Sequence, residues 1–160
     1  MQNQILKTNS KASISRLVNK LRRKKDNKIV FTNGVFDILH YGHINYLTKA
    51  RELGDILILG LNTDSSVKKF KSKDRPLQNE MDRARILTAL QAVDYVILFP
   101  EETPAKLIEM VKPDILVKGA DYKISEIVGA KFVKSYGGEV KRIKFVKGRS
   151  SSKIINKLNS

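Results

Sequence analysis

The chain of 160 residues contains no cysteine, no tryptophan and only two histidines. Without cysteine it can form no disulfide, no thiolate nucleophile and no cysteine-ligated metal site. A zinc site takes three or four ligands from cysteine, histidine or carboxylate side chains, so a chain without cysteine or a third histidine disfavours zinc. The absence of cysteine also fits a reducing compartment.

Long apolar runs are absent as well. No segment approaches the roughly 20 consecutive apolar residues that span a bilayer, and the N-terminus lacks the apolar core of a signal peptide. We therefore expect a cytoplasmic protein with no membrane segment. The length is that of one domain.

Negative charge is scarce relative to positive charge. Lysine and arginine number 31 against 16 aspartate and glutamate, a formal net charge of +15, which attracts polyanions such as nucleic acid and nucleotide phosphates. Residues 22–25 (RRKK) end a helix predicted from about Ser15, where cations favour the helix C-terminus. No aromatics interleave with them as base stacking requires, so a solvated helix end is favoured over a nucleic-acid arm. We expect a basic helical extension over residues 1–27 and a separate domain over 28–160.

Five apolar segments alternate with helical patterns along the chain. The predicted strands are 28–32, 56–61, 95–99, 115–118 and 140–145. The predicted helices are 41–53, 79–90, 104–111, 125–136 and 151–158. Strands rich in isoleucine, leucine and valine without polar alternation are covered on both faces. The order predicts one Rossmann-like, doubly wound α/β domain with a mainly parallel, five-stranded sheet.

The common nucleotide-binding fingerprints are missing. Neither the glycine-rich dinucleotide motif nor the P-loop lysine motif occurs, which argues against NAD-linked redox chemistry and P-loop hydrolysis. Ligands of such sheets bind beyond the carboxyl ends of the strands, so the chemistry is expected in the segments that follow them. Four of these segments are rich in polar, charged or glycine residues: 33–43, 62–75, 118–122 and 148–152.

The two histidines are the most informative of these residues. His40 and His43 are one turn apart at the start of the predicted helix 41–53. The free backbone N–H groups and the positive dipole end of a helix N-terminus favour an anion, and each imidazole can add a donor. A chance pair of structural histidines is the alternative. The pair therefore predicts a phosphate site.

Residues 32–43 (TNGVFDILHYGH) resemble the signature of the cytidylyltransferase-like nucleotidyltransferases. A longer pattern over 28–158, including 75–77 (RPL), 113–119 (PDILVKG) and 137–140 (GGEV), is similar to the D-glycero-β-D-manno-heptose 1-phosphate adenylyltransferases of that superfamily. The resemblance implies transfer of AMP from ATP to the sugar 1-phosphate, giving ADP-heptose and pyrophosphate for the synthesis of lipopolysaccharide core or surface glycans. It also implies Mg²⁺, held mainly by the triphosphate oxygens, and a homodimer.

The resemblance also implies roles for individual residues. The catalytic residues would be His40, His43 and Lys71. The nucleotide-binding residues would be Asn33, Gly34, Val35, Phe36, His40, His43, Arg83, Lys118, Gly119, Asp121, Ser150, Ser151 and Ser152. Asp37 is expected to be a structural carboxylate that accepts backbone hydrogen bonds.

Several of these residues have simpler interpretations that stay open. Lys71 could be a solvated loop lysine, Arg83 an exposed ion pair and Asp121 a turn residue. One of the three serines could be the helix N-cap.

Other functions also stay open. One is a cytidylyltransferase acting on glycerol 3-phosphate or another phosphorylated acceptor. In those enzymes an arginine precedes the glycine- and serine-rich segment, whereas here Phe145, Val146 and Lys147 precede it, which favours the heptose branch. Lys153 also differs from the heptose pattern, so the acceptor could differ. The other is a basic nucleic-acid-binding module.

Overall fold

The computed structural model describes residues 4–8, 10–72 and 74–158. The strands are β1 (Gln4–Lys7), β2 (Ile29–Gly34), β3 (Ile56–Asn62), β4 (Tyr95–Phe99), β5 (Ile115–Gly119) and β6 (Glu139–Ile143). The helices are α1 (Lys11–Arg22), α2 (Tyr41–Arg51), α3 (Asp64–Phe70), α4 (Glu80–Thr88), α5 (Ala105–Val111), α6 (Ala130–Ser135) and α7 (Ser151–Leu158), with a short 3₁₀ helix at Ile124–Glu126.

The strands form one sheet in the order β1-β4-β3-β2-β5-β6, and every neighbouring pair is parallel. This confirms the doubly wound α/β prediction. The predicted count of five strands was wrong, because β1 adds a sixth at the edge, in register with β4 from Gln4↔Tyr95 to Lys7↔Leu98. An edge strand has one neighbour and needs no long apolar run, so its short, half-polar sequence gave no strand signal.

The described residues that precede β2 belong to the same sheet and core. Helix α1 begins at Lys11, earlier than predicted, and buries Ile14, Leu17 and Leu21. The expected boundary between an N-terminal extension and the domain, at residue 27, therefore lies between α1 and β2, which pack in the same core. The predicted helix 125–136 was too long: α6 begins at Ala130, after Gly129 adopts a φ of 85°.

Helices cover both faces of the sheet. One apolar cluster packs α1, α5 and α6 against side chains such as Phe31 and Ile97. The other packs α2 and α4 against side chains such as Leu59 and Val96. Because successive strand residues point to opposite faces, the continuous apolar strands fill both clusters.

The strand order reverses direction at β2, which lies between β3 and β5. In an open α/β sheet the crevice at such a switch point, beyond the carboxyl ends of the strands, is where ligands bind. The turn after β2 and the loop after β5 therefore face each other. Among the described residues, no helix is long and apolar enough to cross a membrane.

Candidate active site

A cavity of about 610 Å³ opens at this switch point. It brings together most of the predicted residues. Its lining includes Asn33, Gly34, Val35, Phe36, His43, Lys71, Lys118, Gly119, Asp121 and Ser151. His40, Arg83 and Ser150 do not line it, and the side chain of Ser152 lies outside those that the structure describes.

The two histidines lie against each other at the start of α2. His40 is the N-cap residue, and its ring stacks on that of His43 with centroids 3.9 Å apart and planes 20° apart. The Nδ1 atom of each ring is buried, and neither has a hydrogen-bond partner among the described residues. Buried polar atoms without partners are rare in folded proteins. Of the two rings, that of His43 lines the cavity and is therefore the one open to a ligand there.

Gly42 makes this stacking possible. A Cβ atom at residue 42 would lie 2.9 Å from both Cε1 and Nδ1 of His40 and 3.1 Å from Cβ of Arg149. Glycine is therefore required because the His40 ring packs directly on the helix backbone. The sequence placed Gly42 in the motif without indicating this role.

Both rings are held in the neutral form. Burial lowers the pKa of His43 to about 4, with a further decrease from nearby His40 and partial opposition from a hydrogen bond with the Ile38 backbone. Burial and the charge of Arg149 lower the pKa of His40. A neutral imidazole has one donor and one acceptor nitrogen, so at pH 7 His43 has a single N–H to donate, either to the Ile38 carbonyl or to a ligand.

The turn after β2 has an unusual backbone. Phe36 has a φ of 48°, a conformation that residues other than glycine rarely adopt and that the surrounding structure must hold. Its ring packs over Gly34, where an added Cβ would come within 2.8 Å, and against His43 at a centroid distance of 5.1 Å. The turn and the histidines therefore form one packed unit.

Asp37 accepts backbone hydrogen bonds, as predicted. It is 2% exposed and accepts from the backbone N–H groups of Leu77 (2.8 Å) and Gln78 (3.0 Å) and from Nε of Arg75 (2.7 Å). Burial alone would raise the pKa of Asp37, but these three bonds together lower it. An ionised, fully bonded carboxylate ties the turn to the segment before α4.

The structure does not bring Arg83 into the cavity. Its side chain is fully buried and donates to the carbonyls of Val35 (2.6 Å) and Gln78 (3.0 Å) and to the carboxylate of Asp64 (2.7 Å). The sequence offered two interpretations of Arg83, a phosphate contact and an exposed ion pair. The structure shows neither, because the guanidinium is buried and lies outside the cavity lining. Arg83 lies on the buried face of α4, and its long side chain reaches backbone groups that the local sequence does not reveal.

The loop after β5 forms the opposite side of the cavity. Burial lowers the pKa of Lys118 to about 8, opposed by the charge of Asp121, and Nζ of Lys118 lies 5.5 Å from the centre of the Tyr122 ring. A Cβ atom on Gly119 would overlap the ring of Phe145. Phe145, 48% exposed, in turn packs on Tyr46 at 5.4 Å, so this side offers a cation, a carboxylate and an aromatic surface.

The serines before α7 have separate roles. The Ser150 hydroxyl accepts a 3.2 Å hydrogen bond from the backbone N–H of Lys153, which makes Ser150 an N-cap, the simpler of its two interpretations. Ser151 lines the cavity and donates to the carbonyl of Ile38 at 3.0 Å. That carbonyl is the backbone group that also interacts with His43.

Lys71 ends α3 as its C-cap residue. It lines the cavity, and none of the ion pairs found among the described residues involves it. Its ammonium group is thus available to an anion in the cavity.

The family of the chain follows from comparison with known proteins. A family model described as cytidylyltransferase-like matches residues 31–157. The chain belongs to this cytidylyltransferase-like family. The match begins within β2 and ends within α7, so it includes every segment that lines the cavity.

Among its relatives, the "Bifunctional protein HldE" of Citrifermentans bemidjiense is 59% identical over 133 residues, which cover 83% of this chain and 27% of the relative. The protein of the same name from Nitratiruptor sp. is 54% identical over 144 residues, covering 90% of this chain and 30% of the relative. The chain thus spans less than a third of the length of these relatives.

Solved structures show the same fold. The lipopolysaccharide core biosynthesis protein from Thermoplasma volcanium is 32% identical with a TM-score of 0.61, covering 77% of this chain and 99% of that one. The pantoate-β-alanine ligase from Francisella tularensis has a TM-score of 0.64 at 17% identity, covering 96% of this chain and 77% of that one. This second likeness concerns the fold alone.

Some cavity residues of this cytidylyltransferase-like chain were not predicted individually as site residues, although several lie in the segments expected to carry the chemistry. They are Tyr46, Asn62, Phe70, Arg75, Glu102, Thr103, Pro104, Tyr122, Glu126, Ile127, Val128 and Phe145, together with Asp37. Glu102 and Thr103 lie in the loop that follows β4, so the rule that ligands bind beyond strand ends could have found them. Phe145 gave no such signal because its partner Tyr46 is distant in sequence.

Proposed function

We propose that this chain is an adenylyltransferase that moves AMP from MgATP to a sugar 1-phosphate, D-glycero-β-D-manno-heptose 1-phosphate, giving ADP-heptose and pyrophosphate. The observation that carries the proposal is the stacked His40–His43 pair, whose buried Nδ1 atoms have no partners among the described residues. The pair lies at a helix N-terminus beside the turn that lines the cavity. The choice of sugar is supported by the resemblance of the sequence to the heptose 1-phosphate adenylyltransferases and by the 32% identity of the chain to a lipopolysaccharide core biosynthesis protein.

The reaction needs positioning and charge stabilisation more than covalent chemistry. An oxygen of the sugar phosphate attacks the α-phosphorus of ATP, and a P–O bond forms. The bond from the α-phosphorus to the oxygen bridging to the β-phosphorus breaks, and pyrophosphate leaves with that electron pair. The attacking phosphate is already an anion at neutral pH, so no strong general base is required.

The cavity supplies what such a reaction requires. His43 donates to a phosphate oxygen that gains charge in the transition state, because the negative charge of the phosphate favours the imidazolium, in which both ring nitrogens are donors. His40 supports the His43 ring by stacking. Lys71 offsets the repulsion between the two anionic substrates. Lys118 and Asp121 bind the nucleoside side of ATP, with the carboxylate positioned for a ribose hydroxyl.

Magnesium enters as part of the substrate in this proposal. Among the described residues, no group of three or more histidine, aspartate or glutamate side chains is arranged to hold a metal ion. We propose that the triphosphate oxygens are the main ligands of Mg²⁺, because this ion commonly keeps several waters and few protein ligands. A homodimer and a cytoplasmic location are also part of the proposal.

The test measures pyrophosphate release over a matrix of ATP or CTP against heptose 1-phosphate or glycerol 3-phosphate. We expect turnover with ATP and the heptose phosphate and little in the other three combinations. His43→Ala should lower kcat by about a hundredfold or more, the scale for losing a preorganised donor, while Ile44→Ala, an exposed neighbour, should leave it unchanged.

Two results would contradict the proposal. No pyrophosphate above an enzyme-free control with ATP and the heptose phosphate would reject the reaction. Full activity in a folded His43→Ala variant would reject the role of the histidine. Tight, steeply salt-dependent binding to DNA or RNA that is unchanged by substitution of His40 would instead favour the nucleic-acid-binding alternative.

A further inference from the structure

Arg83 is a charged side chain buried in the protein interior. Its side chain has no exposed surface, and burial of a guanidinium is costly unless it is paired and fully hydrogen-bonded. Its one carboxylate partner is Asp64, at 2.7 Å. Two of its three hydrogen bonds go to backbone carbonyls of other segments. The arginine therefore links segments and is not simply half of an ion pair.

The shortest of these bonds reaches the turn that lines the cavity. Nη1 of Arg83 donates to the carbonyl of Val35 at 2.6 Å, across 48 positions of sequence. In a trans peptide the carbonyl and the following N–H point in opposite directions. The bond to the Val35 carbonyl therefore turns the N–H of Phe36 away from Arg83.

That N–H has no partner inside the described part of the chain. Val35 and Phe36 both line the cavity, so an anion bound there is the available acceptor. Phe36 also holds its φ of 48°, a sparsely populated conformation that persists only when neighbouring contacts fix it. The bond from Arg83 acts on the peptide immediately before this residue.

We propose that Arg83 is a positioning residue, which fixes the Val35 peptide so that the Phe36 N–H donates to a nucleotide phosphate. This rests on the proposed function insofar as the anion is the phosphate of ATP. Arg83 itself touches no substrate. Its charge is balanced by Asp64, so its contribution is geometric, whereas Lys71 is a cation open to the cavity.

A measurement on the unaltered protein tests the acceptor. In protein labelled with ¹⁵N-phenylalanine, the amide signal of Phe36 should shift on addition of MgATP and become protected from hydrogen exchange. An amide signal of Phe36 that does not respond to saturating MgATP would overturn the proposal, whatever any variant does.

Variants then test the arginine. Arg83→Lys keeps the charge but cannot reproduce the three-directional fork of hydrogen bonds. We expect kcat for pyrophosphate release to fall by about ten- to a hundredfold, the scale for a displacement near 1 Å, and the Phe36 response to MgATP to shrink. Arg85→Met, on the same helix with a side chain 71% exposed, is the matched control and should change neither.

The outcomes separate this proposal from a purely structural role and from the proposed function. A folded Arg83→Lys variant with normal kcat and a normal Phe36 response overturns it, even if its melting temperature falls. If the wild type transfers AMP to no sugar phosphate, yet MgATP still shifts Phe36 only when Arg83 is intact, the proposed function fails and this inference stands. If Arg83→Lys does not fold, the wild-type Phe36 measurement decides.

Discussion

Replacing Gly42 with alanine separates catalysis from folding at the centre of the site. The new Cβ would lie 2.9 Å from two ring atoms of His40, whereas relaxed contacts between such atoms are about 3.5–4.0 Å. The ring must therefore withdraw by about 0.6–1.1 Å. A displacement of about 1 Å at a catalytic group can cost about a hundredfold in rate, so we expect kcat to fall by about ten- to a hundredfold.

The same substitution should leave the fold intact. The atoms that must move belong mainly to a side chain, and alanine is favoured over glycine within a helix by up to about 1 kcal/mol, with less gained in the first turn. For a chain of this size, 1 kcal/mol corresponds to roughly 2–4 °C in Tm. We expect Gly42→Ala to have a Tm within about that range of the wild type.

The assay pairs pyrophosphate release with thermal unfolding. Ile44→Ala in the same helix serves as the control, because Ile44 is 43% exposed and does not line the cavity. A Gly42→Ala variant with wild-type kcat would refute the argument that His40 must pack on the bare backbone at this position. A variant that loses activity only because it unfolds would refute the claim that the effect is local to the ring.

Two further predictions concern pH. Asp37→Asn should lower the free energy of unfolding by about 3 kcal/mol near neutral pH, because it leaves Arg75 without its charged partner in a buried pair. The folded-state pKa of Asp37 is lowered. In urea unfolding, the advantage of the wild type in free energy of unfolding should therefore persist above about pH 4 and disappear as the pH falls through the folded-state pKa. An advantage of the wild type that does not depend on pH in the acid range would contradict this assignment. The pKa of His43 falls from 6.5 to about 4 on folding, so between these pH values the unfolded chain binds a proton that the folded chain excludes. The free energy of unfolding of the wild type should therefore decrease by at most about 3 kcal/mol as the pH falls from 6.5 to 4. The decrease is smaller to the extent that solvent reaches the ring. His43→Asn should show a shallower slope over the same range, and an identical slope would argue against a buried, neutral His43.

The local features of the site could be predicted because local sequence encodes them. The run of apolar residues in β2, the helix that begins at Tyr41 and the one-turn spacing of the histidines are properties of neighbouring positions. For Asp37 the sequence predicted the role but not the partners, because its backbone donors, Leu77 and Gln78, are distant in sequence. The carboxyl-edge rule for parallel sheets then places the turn after β2 and the loop after β5 together without further information.

The tertiary structure alone decided the features that depend on distant partners. The four residues of β1 become a strand only because β4 offers an unpaired edge. The burial of Arg83 follows from carbonyls and a carboxylate that lie on three other segments. A helical sequence pattern cannot distinguish a polar residue that faces solvent from one whose long side chain crosses the interior.

The sequence by itself determined a parallel α/β sheet and a histidine pair at a helix start, because side-chain periodicity and helix-end chemistry act over a few residues. The tertiary structure decided why the motif contains Gly42, which of the serines caps α7 and which cations remain free. Those outcomes depend on packing distances and on competition for hydrogen-bond partners across the fold. Lys71 keeps its charge open to the cavity, while Arg83 is buried and donates one hydrogen bond to Val35 in the turn and two others to Gln78 and Asp64.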